Sequence, residues 1–286
     1  MRVGYFGPEG TFTQEALLAA VGPAVGELVL VPLPTIFDTV MAVHSGDVVR
    51  AVVPIENSLE GSVNATLDAL ALETEDVAIV GEIVHPIRHC LIARTDLELT
   101  QIETVVSHPQ ATAQAARFLR SALPQARVLA ASSTAEAVRM VAGREGPWAA
   151  LGNRLAAELY GGRVLRARVE DVPDNETRFV WLARVGTDPR WPRASEPPSG
   201  PWKTAIVFWG RGTDAPGWLV GCLREFASRQ VNLTRIESRP RKQGLGAYMF
   251  FLDLEGRDTE PSVRDALEGL GQHVEVLRVL GSFPAA

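Results

Sequence analysis

The chain has 286 residues, of which 46% are hydrophobic and 22% charged, and 28 basic against 34 acidic side chains give a formal net charge of −6. That length exceeds one small core and predicts two units at about 150 residues per domain. The acidic balance argues against a general nucleic-acid binder, and no apolar run approaches the roughly 18 residues of a membrane span.

Met1-Arg2-Val3-Gly4-Tyr5-Phe6-Gly7 reads as a first strand and not as an export signal, so a cytoplasmic protein is expected. Short apolar runs then alternate with amphipathic stretches. Strands are predicted at Val3–Phe6, Leu28–Leu33, Ala51–Ile55, Val77–Val84, Thr104–Ser107, Val128–Ala130, Ala149–Leu151 and Arg178–Ala183. Helices are predicted at Thr13–Val21, Ile36–His44, Val63–Leu70, Ala111–Leu123, Ala135–Ala142 and Arg154–Tyr160. Such alternation predicts an α/β architecture of mainly parallel sheets covered on both faces.

Residues 186–201 carry Pro189, Pro192, Pro197, Pro198 and Pro201 with Ser195 and Ser199, and read as a linker. Beyond it, strand Thr204–Trp209, helix Gly217–Arg229, strands Asn232–Ser238 and Tyr248–Leu254, helix Pro261–Leu270 and strand Val274–Leu280 follow. This βαββαβ order over residues 202–286 predicts a ferredoxin-like unit.

In the first unit, hydroxyl and amide residues gather where strands end and helices begin. The clusters are Gly7–Thr13, Pro54–Ser62, Ser107–Thr112 and Ser132-Ser133-Thr134. Ligands of open α/β sheets bind beyond the carboxyl ends of the strands. Helix N-termini there offer free N–H donors to an anion. The pattern therefore predicts an anion cleft, although each residue taken singly also fits a plain N-cap.

Other motifs carry less. Gly4, Gly7 and Gly10 do not have the dinucleotide spacing, no phosphate-binding loop with Gly-Lys-Ser/Thr occurs, and Gly210-Arg211-Gly212 is wrongly spaced. His85 and His89 stand four apart, but Pro86 between them opposes a zinc-binding helix, so no metal is expected. Cys90 and Cys222 lie in apolar surroundings and read as buried free thiols.

Asn175-Glu176-Thr177-Arg178-Phe179 resembles the Thr-Arg-Phe signature of prephenate dehydratases. Gly7–Thr13, Pro54–Gly61, Ser107-His108-Pro109-Gln110 with Ala113-Gln114, Ser133–Ala137 and Ala149–Asn153 fit the same family in the same order. Ile236-Glu237-Ser238-Arg239-Pro240 and Leu280–Pro284 resemble motifs of the family's regulatory ACT domain. The resemblance implies a two-lobed catalytic domain over residues 1–185, like type II periplasmic binding proteins. Lobe one would take about 1–76 and 170–185, and lobe two 77–169. An ACT domain at 202–286 would follow.

The implied reaction turns prephenate into phenylpyruvate, carbon dioxide and water, without a cofactor. Thr177 is implied as the catalytic residue at the leaving hydroxyl. Thr11, Asn57, Ser58, Ser107, Gln110, Thr134, Arg178 and Phe179 are implied in substrate binding. Glu56 and His108 serve as an acid or as structure. The resemblance also implies a homo-oligomer, dimer or tetramer, with phenylalanine or another amino acid as effector at paired ACT domains. The effector residues would be Gly217, Trp218, Leu219, Val220, Asn232, Leu233, Glu237, Ser238, Arg239 and Pro240. Trp218 departs from the family's usual Gly-Ala-Leu-Val. It would fill the effector pocket, alter which amino acid fits, or point into a dimer interface.

Two other classes compete. A solute-binding protein would use the same cleft, but the absent export signal and the attached second unit oppose it. A ligand-sensing regulator would carry a nucleic-acid-binding element, and no helix-turn-helix with a basic face is apparent. A fused chorismate mutase is not expected either, since no further helical domain precedes Met1.

Overall fold

The computed structural model describes residues 1–187, 200–210, 212 and 215–286. Arg211 and the linker residues Pro189, Pro192, Ser195, Pro197, Pro198 and Ser199 lie outside the described residues.

Among the described residues there are three sheets, one six-stranded, one five-stranded and one four-stranded. In the first, strands lie in the order Val29–Leu33, Arg2–Phe6, Arg50–Asn57, Glu176–Arg184 and Val77–Pro86, with Gly61–Ser62 paired to Arg50–Asn57. Arg2–Phe6 runs parallel to Val29–Leu33, and helix Phe12–Val21 forms the crossover between them. Residues of Arg50–Asn57 are almost all buried, as a central strand requires.

The second sheet has the order Arg163–Ala167, Cys90–Ala93, Trp148–Gly152, Thr104–Ser107 and Arg127–Ala130. Its last three strands are parallel, but Cys90–Ala93 pairs antiparallel with both neighbours. The sheet is mixed, which corrects the expectation of mainly parallel pairing. Cys90–Ala93 and Arg163–Ala167 are strands beyond those expected. An all-apolar run of four residues shows no period, and an edge strand bearing Arg163 and Arg166 does not read as a strand.

The two faces of this sheet alternate as the pleat dictates. Cys90, Ile92, Val106 and Ala150 pack with Ala137, Val138, Val141, Ala156 and Ala157, from helices Thr134–Ala142 and Arg154–Tyr160. Leu91, Val105, Ala149 and Leu151 pack on the other side with Ala115, Leu119 and Leu123.

The expected single helix Ala111–Leu123 is two, Pro109–Gln114 and Ala116–Ala122, broken at Ala115. The cause is a distant carboxylate. Asp171 accepts from the Arg117 and Phe118 N–H groups, and its own N–H donates to Gln114 O. These bonds supply the N-terminal partners that a helix start needs.

The C-terminal segment follows the expected order: Trp202–Trp209, helix Trp218–Ala227, Leu233–Pro240, Tyr248–Glu255, helix Pro261–Gly271 and Val276–Pro284. Its four strands form an antiparallel sheet in the order Leu233–Pro240, Tyr248–Glu255, Trp202–Trp209, Val276–Pro284. Ile206, Phe208, Leu252 and Leu254 face the helices, meeting Cys222, Phe226, Val263, Ala266 and Leu270. Both cysteines are free and buried, and burial pushes the Cys222 thiol up to about 11.

By compactness the chain forms two units. One comprises 1–39, 52–63 and 84–179; the other comprises 40–51, 64–83 and 180–286. Within the second, Arg239 grips Asp68 and Arg278 donates to the Ala71 and Thr74 carbonyls. Among the described residues, no helix is long and apolar enough to cross a membrane.

Candidate active site

A cavity of about 320 Å³ lies within the first unit, where three helices begin. Thr11, Phe12 and Thr13 stand at the start of one helix, His108, Gln110 and Ala111 at another, and Ser133 and Thr134 at the third. The lining includes no Arg or Lys among the described residues. Helix N-termini, hydroxyls and amides are therefore what it offers an anion.

Several of these residues are also caps. Thr11 Oγ1 accepts from Gln14 N–H at 3.4 Å and donates to Phe6 O at 3.2 Å. Ser133 Oγ accepts from Glu136 N–H, and His108 Nδ1 accepts from Gln110 N–H at 3.3 Å. His108 thus shapes its turn. Thr134 follows the Ser133 cap as the first helical residue.

The lining also includes Asn57, at the end of strand Arg50–Asn57. Its Oδ1 accepts from the Leu59 and Glu60 N–H groups, both at 3.0 Å. That closes an Asx turn and fixes which end of the amide is which. The NH₂ end must then face the other way. It donates to Asn175 Oδ1 at 2.8 Å, Thr177 Oγ1 at 2.9 Å and Glu176 O at 3.0 Å.

Thr177 is 8% exposed and lines the cavity. A hydroxyl that accepts from Asn57 keeps its own proton to donate. Phe179, two residues on, is 2% exposed and lines the cavity as wall.

The network continues beyond the residues singled out from sequence. Asn175 Nδ2 donates to Gln114 Oε1 at 3.1 Å, and His89 Nε2 meets the same oxygen at 3.1 Å. Gln114 Nε2 donates to Glu60 Oε1 at 3.2 Å. His89 is 2% exposed, with the Phe12 ring edge-on at 5.3 Å. Burial lowers its pKa below the ordinary histidine range, against smaller opposing effects of the Gln114 bond and the Glu170 and Glu15 charges. The ring is therefore neutral, and the nitrogen facing Gln114 Oε1 carries the proton.

Asn175, Gln114 and His89 had no assigned role in the sequence. A signal exists for His89, a histidine that leads directly into the apolar run Cys90–Ala93. Asn175 and Gln114 stood inside family-like motifs without any local feature to distinguish them.

Four expected residues lie off the cavity lining. Ser107 is fully buried and its Oγ donates to Leu151 O at 3.0 Å, so it ties two strands together instead of meeting an anion. Ser58 Oγ accepts from Glu176 N–H at 3.0 Å and holds the loop. Arg178 pairs with Glu56, Nε to Oε2 at 3.3 Å, with the arginine side chain 11% exposed. The two side chains form an ion pair, and neither lines the cavity.

The expected effector residues lie in the second unit. Gly217, at φ 84°, caps helix Trp218–Ala227, whose first turn holds Trp218, Leu219 and Val220. The Trp218 indole turns back onto its own sheet. It packs on Phe208 and Phe250, with ring centroids 6.1 and 5.9 Å away, and donates to His273 O at 2.8 Å. Asn232 precedes the edge strand Leu233–Pro240, which carries Glu237, Ser238 and Arg239. No group of three or more His, Cys, Asp or Glu able to hold a metal ion occurs among the described residues.

Residues 3–187 match the family model described as prephenate dehydratase. A prephenate dehydratase of Amycolatopsis methanolica is 41% identical over 285 residues, covering 100% of this chain and 89% of that protein. A solved structure of prephenate dehydratase in complex with L-Phe, from Arthrobacter aurescens, is 37% identical with a TM-score of 0.86, covering 99% of this chain and 90% of that one. A structure described as a novel type of quorum-quenching acylase is 30% identical with a TM-score of 0.83, covering 100% of this chain and 98% of that one.

Proposed function

Because the chain belongs to the prephenate dehydratase family, we propose that it converts prephenate to phenylpyruvate, carbon dioxide and water in the cavity beside Thr177. Prephenate is a dianion with a ring carboxylate, a pyruvyl side chain and a hydroxyl across the ring. Breaking the bond to the ring carboxylate releases carbon dioxide and sends the electron pair into the ring. Hydroxide is expelled and leaves as water once it takes a proton. The ring becomes aromatic, so the reaction is downhill and its chemistry calls for no cofactor as electron sink.

The observation that carries this reading is the Asn57–Thr177 bond, which leaves the Thr177 proton for the departing oxygen. An alcohol is a weak acid, so Thr177 acts by stabilising the developing negative charge or by relaying a proton. Gln110 and Thr134, with the free N–H groups of the helix that Thr11 caps, receive the carboxylates. Phe179 packs against the ring.

The regulatory reading is part of the same proposal. Residues 1–185 form the two-lobed catalytic domain, 186–201 the linker and 202–286 a ferredoxin-like ACT domain. Phenylalanine, or another amino acid, binds the ACT domain of a cytoplasmic homo-oligomer and suppresses turnover. The Phe complex of the Arthrobacter aurescens relative supports the effector.

The test is turnover of prephenate by the full chain, followed as phenylpyruvate with and without phenylalanine. We expect phenylpyruvate, suppressed by phenylalanine. We also expect Thr177→Val to lose at least about 100-fold in kcat while staying folded, as for removal of an oxyanion donor. Near-normal turnover by that variant would sink the Thr177 assignment. A second assay offers an N-acyl amide, the kind of bond an acylase cleaves. Its hydrolysis without phenylpyruvate formation would move the chain to the acylase reading.

A further inference from the structure

We propose that His89 is a positioning residue for the dehydration. Its Nε2–H holds the Gln114 amide in the one orientation that keeps the polar chain to Thr177 in order. This rests on the prephenate dehydratase reading of the cavity.

The argument runs along donors and acceptors. Gln114 Oε1 receives two donors, Asn175 Nδ2–H and His89 Nε2–H, both at 3.1 Å. If the Gln114 amide turned over, its NH₂ would face the Asn175 NH₂, donor against donor. Asn175 cannot relieve this by turning as well, because its own NH₂ would then face Asn57 Nδ2. Asn57 is fixed by the Leu59 and Glu60 N–H groups. One order of hydrogen bonds therefore satisfies Asn57, Asn175 and Gln114 together.

His89 secures the far end of that chain. Its backbone is pinned on both sides, its N–H to Glu170 Oε2 at 2.9 Å and its carbonyl to Val169 N–H at 2.9 Å. The ring is 2% exposed, and Nδ1 is buried without a hydrogen-bond partner. The other neutral tautomer would point a lone pair at Gln114 Oε1. Nε2 therefore carries the proton, and the surroundings accept a bare Nδ1. Without that N–H, Gln114 Oε1 keeps only the Asn175 donor, the exposed Glu60 contact to Gln114 Nε2 at 3.2 Å is left to hold the other end of the amide, and the register of Asn57 against Thr177 loosens.

The test compares His89→Leu and His89→Gln in the full chain, the glutamine amide standing in for the Nε2–H. We expect His89→Leu to lower kcat by about 10- to 100-fold with KM within about 3-fold, and His89→Gln to recover most of that loss. Nitrogen NMR of ¹⁵N-histidine-labelled wild type, with His89 assigned by its absence from the His89→Gln spectrum, should show Nε2 protonated and Nδ1 bare.

Wild-type kcat in both variants, or equal loss in two folded variants, would overturn the proposal. So would an Nδ1-protonated ring, which also decides the matter if the leucine variant does not fold. Failure of the wild type to consume prephenate would instead remove the dehydratase reading, and the tautomer measurement would still stand.

Discussion

Asn57 and Thr177 stand 120 positions apart in sequence, yet the Asn57 amide donates to Thr177 Oγ1 at 2.9 Å. That bond sets the polarity of the Thr177 hydroxyl, since an oxygen that accepts from Asn57 has its proton left for the cavity. The direction is itself enforced by backbone, because the Leu59 and Glu60 N–H groups hold the Asn57 oxygen on the other side.

Asn57→Asp reverses this polarity, and its carboxylate also meets Asn175 Oδ1 and Glu176 O where the amide donated. The carboxylate preserves the turn to Leu59 and Glu60 but presents an acceptor to Thr177, which would then donate to it and away from the cavity. We expect kcat to fall by about 100-fold or more, with circular dichroism unchanged. Steady-state kinetics within about 3-fold of wild type would show that Asn57 does not direct the Thr177 proton.

His89 gives a pH dependence of stability. Burial lowers its folded pKa below the ordinary value of 6.5, while the Glu170 and Glu15 charges oppose the shift. Between the folded and unfolded pKa values the unfolded chain binds more protons, so stability rises with pH there. Its contribution is complete above about 6.5 and is lost as pH falls toward the folded value. Urea unfolding from pH 7 downward should show this slope in wild type and a shallower one in His89→Gln; equal slopes would contradict it.

Asp68 anchors the edge strand of the C-terminal sheet. Arg239 Nη2 reaches its two oxygens at 2.9 and 3.1 Å and Lys242 Nζ adds a contact at 3.1 Å, with Asp68 14% exposed. Removing one partner of a largely buried pair leaves the other charge poorly solvated. We expect Asp68→Asn to cost about 1–3 kcal/mol by denaturant unfolding. A change within about 0.3 kcal/mol would mean that solvent replaces the pair, as at exposed sites.

Trp218 tests whether its indole belongs to the domain core. Trp218→Ala removes ring contacts with Phe208 and Phe250 and the bond to His273 O, at an expected cost of about 2–4 kcal/mol. Trp218→Phe keeps the packing and loses the N–H bond alone, for about 1 kcal/mol. Equal stability of all three proteins would place the indole's role outside this chain's own packing.

The sequence by itself determined most element types, the βαββαβ order of residues 202–286 and the gathering of hydroxyls at strand ends. Apolar periodicity and cap residues are local, and they read the same before and after folding. It also supplied Thr177, through the motif around it. Only the tertiary structure decided what those polar groups do. Ser107 ends a strand as the cleft pattern requires, but its place in the pleat sends Oγ to Leu151 O. Asp171 splits a helix that periodicity alone runs through Ala115. Asn175, Gln114 and His89 meet Asn57 from separate segments of the chain. Whether a hydroxyl donates or accepts depends on its partners across space, and residue spacing along the chain carries no record of them.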